Sequence, residues 1–189
     1  EISLGLVGSE MCIRDRDKGC ARVYWFEDLS ALSAANFPAD MEEDFKFPMV
    51  KIKVDSKYSY PSWEDFSEVF PDEKDDDAFN DAWEELTGED PEDPDDRSQL
   101  LGWPDVIQNS MFDECDLVTQ GYYLGDGWVK IPKEVRQRAE ETARDRWMLL
   151  FQLDIVELGD FELMFGDCGH IYFYITKEDL AARRFDRIW

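Results

Sequence analysis

Three residues able to move protons or attack carbon stand within four positions of one another: Asp167, Cys168 and His170. His170 is the only histidine among 189 residues. A thiolate beside an imidazole is a nucleophile with its base, and a carboxylate beside an imidazole is an acid/base pair. Asp167 and His170 are therefore the candidate catalytic residues for hydrolysis of a small molecule, with Cys168 as the nucleophile in another form of that reading. The spacing weighs against both. A nucleophile and its base normally approach from separate elements, whereas these side chains are neighbours on one turn. Gly166 and Gly169 suit a four-residue hairpin connection in which the aspartate bonds the turn backbone, and that structural reading is favoured. A single histidine excludes a histidine-rich metal centre. The four cysteines, Cys12, Cys20, Cys115 and Cys168, include no Cys-x-x-Cys pair. No metal site and no cofactor is expected.

The turn belongs to the strongest strand signal in the chain. Over 147–155, Trp147, Leu149, Phe151, Leu153 and Ile155 alternate with Met148, Leu150, Gln152 and Asp154. One face is apolar and the other becomes polar midway, as in a strand that opens to a cleft on one side. Phe161, Leu163 and Phe165 predict a second strand, and residues 170–175 a third, making three consecutive strands. Thr176, with Asp179 three residues on, predicts a capped final helix. Upstream, the apolar loop over 98–111 carries Gln99, Asp105 and Gln108 among Leu100, Leu101, Trp103, Val106 and Ile107, with Gly102 and Pro104 barring a long helix. Such a loop packs a corner or lines a pocket. The candidate binding residues are Gln99, Gly102, Trp103, Asp105, Gln108, Gln152, Asp154 and Asp167. The loop would form the rim of a cleft, and the polar half of the 147–155 strand its floor.

Other segments complete the frame. Residues 21–26 are β-branched and aromatic, hence a strand. Val50, Ile52 and Val54 alternate with Lys51 and Lys53, predicting a half-buried strand over 49–54. Ser62, with Asp65, caps a helix carrying Trp63, Phe66, Val69 and Phe70 on one face. A second helix over 76–87 places Phe79, Trp83 and Leu86 toward the core and stops at Gly88. Pro132 opens a helix running to about Arg146, with Val135, Ala139 and Ala143 as a thin apolar stripe and Glu134–Arg138 and Glu140–Arg144 as i,i+4 pairs. The arginines of this helix read as a solvated face balanced by nearby acids. The expected fold is α+β: a mostly antiparallel sheet with short helices packed on it. Residues 1–16 differ in character from the rest and resemble translated adapter read-through. The alternative is a genuine strand over 2–7. Residues 17–189 read as a single domain.

Charge narrows the partners. With 45 acids against 20 bases the net charge is -25. Nucleic acid and anionic membrane surfaces both demand positive charge, so neither is an expected partner, whereas a basic protein or a small ligand is. Residues 72–96 hold 14 acids and one lysine. They lack the Asp-x-Asp-x-Asp-Gly framework of a calcium loop and read as an exposed acidic loop. A DNA mimic, the third reading, requires acids spread along one face rather than gathered in one loop. No secretory signal or long apolar run is evident, so the expected location is cytoplasmic.

The runs ARVYWFEDLSAL, SQLLGWPDVIQ, WMLLFQLDI and FGDCGHIYFYI, in that order, resemble motifs of the YwqG-like family of bacterial domains of unknown function. The resemblance spans residues 21–185. It implies an intracellular α+β domain without an established activity or cofactor. Two departures stand out. The family's loop usually begins with a histidine where this chain has Ser98, and its members usually carry further strands upstream. The chain is accordingly expected to be the C-terminal portion of a longer YwqG-like domain. The leading expectation is a binding or protein-interaction module, with immunity-like binding of a basic protein as one version of it; the alternative is the small-molecule hydrolase using Asp167 and His170.

Overall fold

In a computed structural model of the chain, the described residues are 2–6, 21–71, 76–88, 90, 97–107, 109–122, 124, 130–165 and 169–189. The elements run β1 (Ile2–Leu6), β2 (Ala21–Trp25), α1 (Trp63–Val69), α2 (Asp76–Thr87), β3 (Gln99–Leu100), α3 (Phe112–Thr119), α4 (Lys133–Arg146), β4 (Trp147–Leu153), β5 (Val156–Leu158), β6 (Phe161–Leu163), β7 (Ile171–Thr176) and α5 (Lys177–Ala181), with short 3-10 turns between some of them. The strands form small antiparallel sheets, β1–β2, β3–β4–β7 and β5–β6. This is the expected α+β arrangement of short helices on antiparallel strands.

The central sheet is built by β4 and β7, whose β-branched and aromatic residues suit a surface buried on both sides. Toward α3 and α4 it presents Trp147, Leu149 and Tyr174, which pack with Phe112, Cys115 and Ala143. Toward β2 and the C-terminal turn it presents Leu150, Phe173 and Ile175, which pack with Val23 and Phe185. Leu149, Tyr174 and Ile175 have no exposed surface. Each such side chain contributes about 1.5–3 kcal/mol relative to leaving it in water. The outer edge of β7 is closed by the chain end, where Trp189 and Tyr174 exchange both backbone hydrogen bonds.

A bulge in β4 decides which way the polar residues face. The register runs Leu149 opposite Tyr174, then Phe151 opposite Phe173, leaving Leu150 as the extra residue. Strict alternation, which would put Phe151 beside Leu149, is thereby broken. Phe151 instead stacks on Phe173 with Leu150, and Gln152 crosses to the face of Trp147 and Leu149. The expected floor of three consecutive strands is also corrected. β4 pairs directly with β7, and the intervening segment makes its own hairpin, β5–β6, turning at Gly159 with φ 63°.

Several local expectations fail for identifiable reasons. Residues 49–54 form no strand: Met49, Ile52 and Val54 are exposed, and no strand lies alongside them among the described residues. Alternation specifies a face only when a neighbour supplies hydrogen bonds. Ser62 starts α1 with its carbonyl, which accepts from Asp65 and Phe66, and its side chain makes no cap bond. Asp65 is drawn instead to Arg144, whose Nε and Nη2 lie 3.0 and 2.9 Å from Oδ1. Leu86 sits on solvent, while Phe79 packs with Tyr60, Phe66 and Trp83. Helix α4 and its buried Ala139 and Ala143 follow expectation, but Arg144 and Arg146 are not merely a solvated face, since they neutralise the buried carboxylates of Asp65 and Asp116. Thr176 and Asp179 form the expected reciprocal cap on α5, Asp179 N donating to Thr176 Oγ1 at 3.0 Å and Thr176 Oγ1 donating to Asp179 Oδ2 at 2.8 Å.

Candidate functional site

The loop 97–107 and β4 are joined directly by hydrogen bonds. Gln152, fully buried on β4, uses both ends of its amide: Oε1 accepts from the Asp105 backbone N–H at 2.9 Å, and Nε2 donates to the Arg97 carbonyl at 2.8 Å. The loop is thus fastened to the sheet at two points eight residues apart. β3 extends the attachment, with Gln99 opposite Gln152, Leu100 opposite Phe151 and Leu101 N–H donating to the Leu150 carbonyl at 3.2 Å. The bulge makes this possible, because it turns Gln152 to the face over which the loop passes.

The loop reverses at Leu101 and Gly102, both with positive φ, 61° and 81°. A Cβ at position 102 would collide with the Ser59 side chain, so glycine is required for space as well as conformation. Ser59 Oγ accepts from Trp103 N–H at 3.0 Å, and Gln99 Nε2 donates to the Trp103 carbonyl. The Trp103 ring meets Phe112 edge-on and Pro104 is buried, so the middle of the loop is anchored in the core. Tyr172 Oη donates to the Asp105 carbonyl at 2.7 Å, and Arg97 pairs with the Asp105 carboxylate. Burial first, then the nearby Asp105 charge, pushes the Tyr172 phenol above its ordinary value, so it remains a donor at physiological pH. The Arg97 and Asp105 side chains keep about a third of their surface exposed, at 27% and 35%.

Beside this loop, His170 lies against Asp154. Its Nδ1 is 3.0 Å from Asp154 Oδ1, but without the alignment that a hydrogen bond needs. Asp154 Oδ1 accepts from Ile155 N–H at 2.7 Å, and Asp154 N–H donates to Ser98 Oγ at 3.2 Å. The His170 ring also meets Tyr172 edge-on and is only 6% exposed. A carboxylate next to an imidazole is acid/base chemistry in kind, yet this imidazole offers little surface to a substrate.

Of the residues expected at the cleft, Gln99, Gly102, Trp103, Asp105, Gln152 and Asp154 lie in one neighbourhood with His170. Gln108, Asp167 and Cys168 lie outside the described residues. Arg97, Ser59 and Tyr172 belong to the network without having been singled out from the sequence. Tyr172 was open to discovery by period-2 spacing, since His170, Tyr172 and Tyr174 fall on one side of β7. Ser59 carried no signal, because its contact spans 44 residues.

A second polar cluster is structural. Asp116, almost wholly buried, accepts from Arg146 and from Trp147 Nε1 (3.2 Å) on Oδ1, and from Gln120 Nε2 (2.8 Å) on Oδ2. Next to it, Cys115 has no exposed surface, and burial holds its thiol well above the ordinary range, so it is no nucleophile. Among the described residues no group of three or more His, Cys, Asp and Glu side chains is placed to hold a metal ion, and no helix is long and apolar enough to cross a membrane.

The profile of the family described as Domain of unknown function (DUF1963) matches residues 7–189. The chain belongs to that family. Searches among curated proteins and among solved structures returned no match. In this DUF1963 domain, the Gln152-fastened loop is a place where polar groups from distant parts of the chain converge on partly exposed surface.

Proposed function

We propose that this DUF1963 domain is a YwqG-like binding module whose loop 97–107 meets a protein partner of net positive charge, in the manner of an immunity protein. The observation that carries the reading is the double hydrogen bond of Gln152, which holds a partly exposed loop in one conformation. A fixed loop loses little conformational entropy on association. Around the paired Arg97 and Asp105, the loop offers Ile107, 49% exposed, as an apolar contact. The net charge of -25 selects for a basic partner and steers it by long-range attraction. A cytoplasmic setting is part of the same proposal.

Hydrolysis by Asp167 and His170 is the less favoured reading, because His170 is 6% exposed and faces Asp154. Affinity capture with the full chain as bait tests the binding reading. The expected result is one basic protein retained at low ionic strength, released by salt, and depleted when the bait carries Ile107→Asp. Failure to retain any protein, or retention indifferent to both salt and Ile107→Asp, would count against it.

A further inference from the structure

Among the described residues, two that are not glycine have positive φ: Leu101 at 61° and Arg183 at 55°. They lie 82 positions apart yet line the same pocket, of about 250 Å³, together with Trp25, Leu100, Leu150, Leu180 and Phe185. A side chain in the left-handed region is strained and persists only where its surroundings hold it. Here the holds are backbone bonds, Leu101 N–H to the Leu150 carbonyl at 3.2 Å and Arg183 N–H to the Leu180 carbonyl at 3.0 Å. Strain of this kind concentrates at ligand clamps.

The chemistry of the walls is lopsided. Every lining residue is apolar except Arg183, whose guanidinium carbon lies 5.6 Å from the centroid of the Trp25 ring. Arg183 pairs with Glu27, and the two side chains are 58% and 70% exposed. An exposed pair of this kind is weak and exchangeable. The neighbouring Arg184 is committed to Glu178 and Asp179, leaving Arg183 as the cation at the rim. Size limits the occupant as well. A dry cavity of about 150 Å³ accommodates benzene, so this pocket suits a phenyl or branched alkyl group with a short arm.

We propose that this pocket binds a small aryl- or branched-alkyl carboxylic acid, its apolar body against Trp25, Leu150 and Phe185 and its carboxylate on Arg183. The pocket shares Leu100 and Leu101 with the loop 97–107 proposed above, but its cation, Arg183, and its aromatic wall, Trp25 and Phe185, lie outside that loop, so acid binding here is read without any protein partner. An amide NMR titration of the full chain with hydrocinnamate, and with the neutral hydrocinnamyl alcohol, tests it. Saturable shifts are expected at Leu101, Leu180 and Arg183, with the acid binding more tightly than the alcohol. Arg183→Gln should weaken the acid by about fivefold, the scale of one exposed ion pair, and leave the alcohol unchanged; Arg183→Lys should fall between. The spectrum of each variant shows directly whether it is folded. The proposal is overturned by absence of saturable shifts at millimolar ligand, by equal affinity for acid and alcohol, or by an unchanged Arg183→Gln titration. It is equally overturned if a peptide ending in leucine binds more tightly than the acid, with shifts reaching beyond the pocket, since the occupant is then a protein terminus.

Discussion

Exchanging the Gln152 amide for a carboxyl isolates the feature on which the loop depends. Gln152→Glu keeps the size of the side chain. One oxygen can still accept from the Asp105 N–H, but the group facing the Arg97 carbonyl can donate only when protonated. The position is fully buried, so the ionised form is disfavoured twice, by desolvation and by repulsion from a carbonyl oxygen. The introduced carboxyl therefore has a folded-state pKa above its unfolded value of about 4.3. A raised folded pKa means that the folded chain holds the proton more tightly. Stability relative to the parent is thus retained below about pH 4.3 and lost as pH rises, at about 1.4 kcal/mol per unit, until the folded pKa is passed. An upward shift of about two units gives a deficit near 3 kcal/mol at neutral pH. In a chain of this length, that lowers the melting temperature by roughly 6–12 °C. Gln152→Ala, which removes both bonds at every pH, should cost about 2–4 kcal/mol with no such pH dependence. Urea denaturation of the parent and both variants, repeated from acid to neutral pH, provides the comparison. A Gln152→Glu chain as stable as the parent at neutral pH, or one that gains stability relative to the parent as pH rises, would refute the assignment of the Gln152 amide as the fastening.

Three other outcomes are expected. Asp116→Ala leaves Arg146, Trp147 Nε1 and Gln120 without their shared acceptor and should cost about 3–5 kcal/mol by chemical denaturation. Burial raises the Cys115 thiol and the Tyr172 and Tyr174 phenols. The folded state thus keeps protons that the unfolded chain gives up from about pH 8.5 for the thiol and about pH 10 for the phenols. Stability should fall as pH climbs through that range, and a flat denaturation midpoint from neutral to alkaline pH would contradict it. Thr176→Ala removes the cap of α5 and should cost about 1 kcal/mol, read as a shift in the urea midpoint.

Much of the frame was legible in the sequence because it rests on local signals. The Thr176–Asp179 cap, the Gly88 stop and the apolar stripe of α4 all follow from residues within a few positions of one another. That the Asp105 loop and Gln152 lie together follows the expectation, but Gln152 is buried beneath the loop and bonded to it instead of flooring an open cleft. What was illegible depends on distant neighbours. The bulge at Leu150 is set by pairing with β7, and it inverts the face assigned to Phe151 and Gln152. Helix α3 has no side-chain cap, Met111 standing at its start, and it is held by packing against α4 and β4. Ser62 and Asp65 carried a correct capping pattern, but a charged partner 79 residues away, Arg144, took the carboxylate. Segment 49–54 has strand alternation and no neighbouring strand among the described residues to realise it.

In the proposed function, a loop fixed by Gln152 presents Asp105 and Ile107 to a basic protein. Its most direct test is the affinity of the captured protein for the full chain, measured against ionic strength for the parent, Ile107→Asp and Gln152→Ala. Affinity should fall steeply with salt in the parent, be lost in Ile107→Asp, and be weaker in a Gln152→Ala chain shown to be folded. A captured protein that binds all three chains alike, with no dependence on salt, would contradict it.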